Sequence, residues 1–284
     1  MSQVSAQNSF NQKKASILKE ISSTASDLSP KGSIDELCLP VMDLINSHND
    51  MVTTSSCSGR ISVFVEGTKR KTNETDLKVG GKGQGGKWLY VSHDINKVIG
   101  WMDTLNDVTF VEDKRSSPLP SDLDGSLRYI LYKYEPFILH VKCRDFETAS
   151  HLYNVAMSCG FRESGIGSNN LVAIRINIKL DVPIGYLNEE NDALSFFVTK
   201  EYINLLDQLT LSKFNDNTKK MAELYRKVEN EMINVTEAAT MDNSSKVGKV
   251  KQETKDERRE RKRREGLERQ RQVQQRKEEQ EISQ

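Results

Sequence analysis

One short stretch limits what this chain can become: Thr53-Thr54-Ser55-Ser56-Cys57-Ser58-Gly59-Arg60, followed at once by Ile61-Ser62-Val63-Phe64-Val65-Glu66. Ile61, Val63 and Val65 share one side of an extended chain and Ser62, Phe64 and Glu66 the other, which is the alternation of a half-buried strand. Met51 to Ser56 is also rich in β-branched and hydroxyl residues. The spacing therefore predicts two strands with Cys57-Ser58-Gly59 as the turn between them. Such a turn directs backbone N–H groups outward and sets Arg60 at the mouth of a sheet. The planar fork of an arginine suits a carboxylate or a phosphate there. A plain hairpin with a polar turn satisfies the same pattern.

Around this stretch the chain alternates helical and extended patterns. Phe10, Lys14, Ile17, Leu18 and Ile21 recur at helical spacing. Ser33-Ile34-Asp35-Glu36 reads as a capping box opening a second helix, with Ile34, Leu37, Val41, Leu44 and Ile45 inward and a kink or restart at Pro40. Lys87 to His93 alternates as a strand. Asn96 to Leu105 reads as a helix with Val98, Ile99, Met102 and Leu105 inward, and Val108 to Val111 as a short strand. Leu127 to Tyr134 and Phe137 to Cys143 read as a second hairpin, turned at Glu135-Pro136. Asp145 caps a helix from Phe146 to Cys159, which Gly160 stops. A short strand follows at Phe161 to Ser168, then a strongly alternating one over Leu171 to Leu180 and weaker ones at Val182 to Leu187 and Ser195 to Thr199. From Lys200 on, two helical stripes flank the polar Asn215-Asp216-Asn217. The element order at 34–66 echoes that at 146–180, as two related α+β halves would. The fold class expected is α+β, a mixed sheet with packed helices and a charged C-terminal tail.

The charge balance is uneven. Lys+Arg and Asp+Glu both number 41, but 14 of the basic and 9 of the acidic residues lie from Ser245 onward, a net of +5 there and −5 before it. The body is therefore not a basic nucleic-acid binder by composition. The tail, densest at Arg258 to Arg264, reads as an RNA-binding arm, a nuclear address or a solvated charged helix. The four cysteines have no paired spacing, no signal peptide opens the chain and no apolar run is long enough to span a membrane. A soluble, cytoplasmic, reduced protein is expected. The loop at Gly80 to Lys87 contains G-x-G-x-x-G and most of a Walker A pattern. Both need a helix to follow, whereas a strand follows here, and Trp88 stands where a Mg²⁺-binding hydroxyl belongs. Neither nucleotide loop is assigned; a glycine loop beside a site is the expectation.

Four blocks carry a resemblance: Ser56-Cys57-Ser58-Gly59-Arg60-Ile61-Ser62-Val63-Phe64, Gly86-Lys87-Trp88-Leu89-Tyr90-Val91-Ser92-His93, Leu139-His140-Val141-Lys142-Cys143-Arg144 and Gly160-Phe161-Arg162-Glu163-Ser164-Gly165-Ile166. In order and spacing they resemble the tRNA wybutosine-synthesizing protein 3 family, in a fungal form, across about Ser33 to Val228. The resemblance implies a methyltransferase using S-adenosyl-L-methionine. It implies methylation of N4 of a demethylwyosine ring bearing an aminocarboxypropyl side chain, made from the guanosine 3′ to the anticodon of phenylalanine tRNA. The partners implied are the anticodon loop of that tRNA and other wybutosine-pathway enzymes, with no membrane. The fold implied is not a Rossmann-like methyltransferase. The expected domains are 1–32, a helix and linker; 33–236, catalytic; and 237–284, the tail. The competing expectation is a non-catalytic RNA-binding protein acting through the tail.

Methyl transfer to a ring nitrogen gains from proximity, desolvation and a base. His93, closing its strand, and His140, opposite the apolar side of its strand, are the candidate bases, while His48 and His151 sit on helix patterns. Arg60 is the candidate for a carboxylate of cofactor or substrate, or a tRNA phosphate. Ser56, Ser58, Gly59, Ser164 and Gly165 are candidate cofactor or substrate contacts, and Trp88 or Tyr90 could stack on the base. Cys57 lies in no thiol-hydrolase signature, and nitrogen methylation needs no covalent intermediate. A zinc site from Cys57, Cys143, His93 and His140 lacks chelate spacing, so no metal is expected.

Overall fold

The computed structural model describes residues 3–23, 33–67, 85–106, 108–110, 127–188 and 192–234. Most of the glycine loop, the proline-containing loop at 114–125 and the charged tail lie outside these residues.

Neither expected hairpin forms. β1 (Met51–Val65) and β4 (Tyr129–Cys143), each of 15 residues, run unbroken and pair antiparallel from Met51 opposite Cys143 to Val65 opposite Ile130. The two supposed turns lie face to face: Gly59 pairs with Pro136 and Arg60 with Glu135. Gly59 holds φ 104°, a conformation that side chains with a Cβ rarely adopt. The glycine and the proline bend a long ribbon rather than reversing it.

That bend is a crease. Before it Ile130, Tyr132 and Tyr134 are buried; after it Phe137, Leu139, Val141 and Cys143 are. Successive strand residues point to opposite faces, so the core changes face at Glu135-Pro136. Two apolar clusters follow. One gathers Ile61, Val63, Trp101, Tyr132, Tyr134 and Phe196. The other gathers Met51, Phe137, Leu139 and Val141 with α2 (Leu39–Ser47) and α3 (Phe146–Ser158). Truncating a buried residue such as Leu139 to alanine costs about 2–5 kcal/mol.

The remaining strands dress this ribbon into one eight-stranded sheet. β2 (Lys87–Ser92) pairs with the second half of β1. The expected strand at Leu171 to Leu180 is divided, because the crease separates its partners. β6 (Leu171–Arg175) pairs with β4 after the bend and with the short β5 (Gly165–Ile166), while β7 (Leu180–Asn188) pairs with β4 before it. β8 (Ala193–Phe196) joins β7, and β3 (Val108–Phe110) joins β8 in parallel, so the sheet is mixed. Both stretches of the echoing element order enter this one sheet.

The helices hold further corrections. α1 (Gln3–Ile21) docks through Lys14, whose Nζ donates to the carbonyls of Asn46 at 2.8 Å and His48 at 2.6 Å. The capping box does not form: Glu36–Cys38 is a 3-10 turn whose N-cap Asp35 makes no capping bond, and α2 restarts with Pro40 in its first turn. The expected helix at Asn96 to Leu105 is two 3-10 turns, Ile95–Lys97 and Trp101–Thr104, separated by Gly100 at φ 83°. The C-terminal pattern is one helix, α4 (Lys200–Val228), uninterrupted at Asn215-Asp216-Asn217. Ile203, Leu206 and Phe214 serve the first cluster and Met221, Leu224 and Val228 the second. Its buried Asp207 accepts from Trp101 Nε1 at 3.0 Å and Tyr132 Oη at 2.8 Å, tying the helix to β4.

Candidate active site

The crease collects polar side chains from distant parts of the chain. Asp35 is 7% exposed. Its Oδ2 accepts from Ser58 N at 2.9 Å and Ser58 Oγ at 3.2 Å, and faces His93 Nε2 at 3.6 Å. The register puts His93 there: Ile61 pairs with Ser92, so the next residue comes level with Arg60. Asp94 then caps the following turn by accepting from Asn96 N at 2.9 Å, which fixes where the chain goes after His93.

Arg60 donates through Nε to Glu135 Oε2 at 2.6 Å, and its guanidinium carbon lies 5.5 Å from the centre of the Trp88 ring. Trp88 packs edge-on against Phe64 at 5.2 Å. The cation is thus held between a carboxylate and an aromatic face.

Asn217 spans the crease from α4. Its Nδ2 donates to Ser58 O at 2.8 Å and its Oδ1 accepts from Phe137 N at 2.8 Å, so one amide joins β1 to β4. Tyr134 Oη is buried among these groups and makes no hydrogen bond. A Cβ placed on Gly59 would stand 3.1 Å from Tyr134 Oη, 3.2 Å from Asn217 Nδ2 and 3.3 Å from Glu135 O. Burial pushes the Cys57 thiol above its ordinary value, a hydrogen bond from the Gly59 backbone opposes that, and the Asp35 carboxylate adds to it. The thiol therefore stays protonated, which does not suit a nucleophile.

The sequence-derived candidates fall into two groups. Ser58, Gly59, Arg60, Trp88 and His93 meet at the crease. His140, Ser164 and Gly165 meet elsewhere in the sheet: His140 pairs with Ala173, which pairs in turn with Gly165, and Ser164 Oγ accepts from Arg175 N at 3.1 Å. His140 Nδ1 lies 2.7 Å from Ser55 Oγ. Burial, and then the Arg175 cation, hold its pKa below the ordinary histidine value. Ser56 turns toward α2, its Oγ 3.2 Å from Met42 Sδ. Of the four residues weighed for zinc, Cys57 and His93 come together, but with Asp35: one ligand atom from each of the three lies within 4.8 Å of the others. Cys143 is buried in the core cluster around α2 and α3. These three could hold a divalent metal only by sharing the Asp35 carboxylate with Ser58.

Asp35, Glu135 and Asn217 were not singled out from the sequence. Asn217 left one trace, a polar residue on the buried stripe of Phe214, Met221, Leu224 and Val228. Asp35 falls inside the Ser33-to-Glu36 capping-box pattern and Glu135 inside the Glu135-Pro136 turn pattern, and neither pattern marks a site residue.

Comparison with known proteins places the chain in a family. The family model "Methyltransferase TYW3" matches residues 12–230. A tRNA wybutosine-synthesizing protein 3 from Saccharomyces cerevisiae is 65% identical over 272 residues, covering 95% of this chain and 97% of the relative. One of the same name from Schizosaccharomyces pombe is 41% identical over 227 residues, covering 79% and 88%. Among solved structures, the PH1069 protein from Pyrococcus horikoshii superposes with a TM-score of 0.54 at 27% identity, covering 78% of this chain and 97% of that one. With the family's model spanning the crease and every strand of the sheet, the chain belongs to the TYW3 methyltransferase family.

Proposed function

We propose that the crease is where this protein methylates N4 of the aminocarboxypropyl-demethylwyosine base, next to the anticodon of phenylalanine tRNA, using S-adenosylmethionine. The observation that carries the assignment of the site is the Asp35–His93 pair set beside Arg60. His93 takes the proton from the ring nitrogen as the nitrogen–carbon bond forms. The Asp35 carboxylate, 3.6 Å away, stabilises the imidazolium that results. Ser58 holds that carboxylate with two hydrogen bonds, so it does not have to reorganise during the reaction.

The residues of the crease fit the cofactor. Tyr134 Oη is a buried polar atom without a partner, standing before the bare backbone of Gly59. Arg60 offers a cation for a carboxylate, with Ser58 and Gly59 beside it. When bound, S-adenosylmethionine would supply an electrophilic methyl group, giving up its methyl carbon–sulfur bond and leaving as S-adenosylhomocysteine. Trp88, 36% exposed, offers an aromatic ring beside Arg60 on which a tricyclic base can stack. No helix among the described residues is long and apolar enough to cross a membrane. A cytoplasmic location, where tRNA is available, completes the reading.

The test uses phenylalanine tRNA from a strain lacking this protein. Incubation with purified protein and S-adenosylmethionine should make the modified nucleoside heavier by one methyl group in mass spectrometry. An unchanged mass would reject the reading.

A further inference from the structure

Beyond the crease the sheet has two unlike faces. On one, Phe137, Leu139, Val141, Val172 and Ile174 are buried in the core around α2 and α3. On the other, the register lines up three rows: Cys57, Ile138 and Arg175; then Ser55, His140, Ala173 and Gly165; then Lys142 and Leu171. Apart from Val52, which pairs with Lys142 in the third row and is buried, none of these residues is buried. The charged members, Arg175 and Lys142, are both cations, and one acidic residue, Glu163, adjoins the first row, its N–H donating to the Arg175 carbonyl at 3.2 Å. Lys13 of α1 adds its charge beside Lys142. Ser55, Ala173 and Gly165 are small and leave a shallow floor, and the Ser55 hydroxyl is tied to His140 Nδ1 at 2.7 Å. Lys142 Nζ donates to the carbonyl of Asn169, which steadies it over the far row. The first row contains Cys57, whose Sγ lies within 4.8 Å of ligand atoms of Asp35 and His93, so the face reaches the crease.

We propose that this open face grips the phosphate backbone of the RNA strand whose modified base enters the crease, with Arg175 and Lys142 each holding a phosphate. The choice of RNA rests on the function proposed above. The choice of surface rests on charge and on continuity with the crease. Arg175 pairs with Ile138, so along β4 the two cations stand four residues apart, about 13 Å between backbone positions, and Lys142 is turned toward Asn169, an arrangement that suits two phosphates of one strand. The body as a whole carries a net of −5 before Ser245, so a local cationic face is what lets it meet RNA without relying on the tail. This gives His140 and Gly165, set apart from the crease, a place in substrate binding.

The experiment compares the full-length protein with the double variant Lys142→Ala/Arg175→Ala, a charge-keeping variant Lys142→Arg/Arg175→Lys, and Lys219→Ala, a control on α4 whose side chain is 78% exposed. Binding of phenylalanine tRNA is followed by fluorescence anisotropy across a salt series, and methylation is followed against tRNA concentration. Circular dichroism checks that each variant is folded. The double variant should bind about tenfold more weakly at low salt, and its log–log salt slope should flatten by about 1.4, since each single-strand phosphate contact contributes about 0.7. The loss should fall on KM rather than kcat. The charge-keeping variant should recover most of the affinity, and the control should match the parent. An unchanged affinity and slope, a loss of kcat with affinity intact, or a folded charge-keeping variant that stays weak would each overturn the proposal. If the parent protein binds tRNA but transfers no methyl group, the function fails while the salt series still decides the surface.

Discussion

Two histidines are candidates for one task, His93 first and His140 second, and the structure gives them opposite company. His93 meets a carboxylate from a loop far away in the chain. His140 meets a serine hydroxyl and the field of an arginine. Both follow from strand alternation, which fixes the side of a sheet that a residue faces but not what approaches that side. The crease and the open face therefore differ less in residue types than in what the helices and loops bring to them. A proton acceptor needs a partner for the charge it gains, and Asp35 supplies one only at His93.

The sharpest way to break this comparison is Asp35→Asn. The amide can still accept from Ser58, but it cannot stabilise an imidazolium at His93. Turnover should fall by about 10²- to 10⁴-fold, the usual worth of a positioned acid or base, with little change in tRNA affinity. Single-turnover methylation checks it, and near-normal turnover would remove His93 as the base.

Next in size is Arg60. If it holds an anionic group, Arg60→Lys should fail nearly as badly as Arg60→Ala, because lysine has no planar fork to share between Glu135 and a ligand. Steady-state kinetics of the two variants decide this. Full activity in Arg60→Lys would reduce the site to a point charge.

Asn217→Ala probes how the crease is held. It strands Phe137 N–H and Ser58 C=O, each of which loses a buried partner at about 1–3 kcal/mol. The midpoint of urea unfolding should drop accordingly. A fall in turnover at denaturant-free conditions would show that the amide also positions Ser58 and, through it, Asp35.

The smallest effect is expected at His140. His140→Gln should leave kcat unchanged, in contrast to any substitution at Asp35. It should also alter the pH dependence of stability. The folded state holds the His140 pKa below its ordinary value, so the unfolded chain binds the proton more readily. That group costs stability as pH falls through the ordinary histidine range and no further once the folded form also protonates. Tm measured between about pH 7.5 and 5 should therefore decline less steeply in His140→Gln. A steeper decline would mean that the charged imidazole is favoured in the fold.

The sequence itself determined the strands at Ile61 to Val65 and Phe137 to Cys143, because their alternation leaves one burial pattern open to them, and it marked Lys87 to Ser92 as a strand although burial there does not alternate. It also determined α3, from Asp145 to Gly160, since both ends carry their own capping chemistry. The family-like blocks single out Ser58, Gly59, Arg60, Trp88 and His93 together with Ser56, His140, Ser164 and Gly165, and only the pairing of the strands separates the two groups. Only the tertiary structure decided that Gly59 and Pro136 bend strands instead of ending them. A glycine at positive φ suits a turn and a crease equally, and the choice lies with the opposite strand, which here is paired on both sides of the bend. It alone decided that Asp35 serves Ser58 rather than the helix it precedes, and that Asn217 bridges two strands rather than interrupting α4. Asp35 and Asn217 act on partners far along the chain, and local spacing carries no record of a contact that closes only when the sheet and α4 come together.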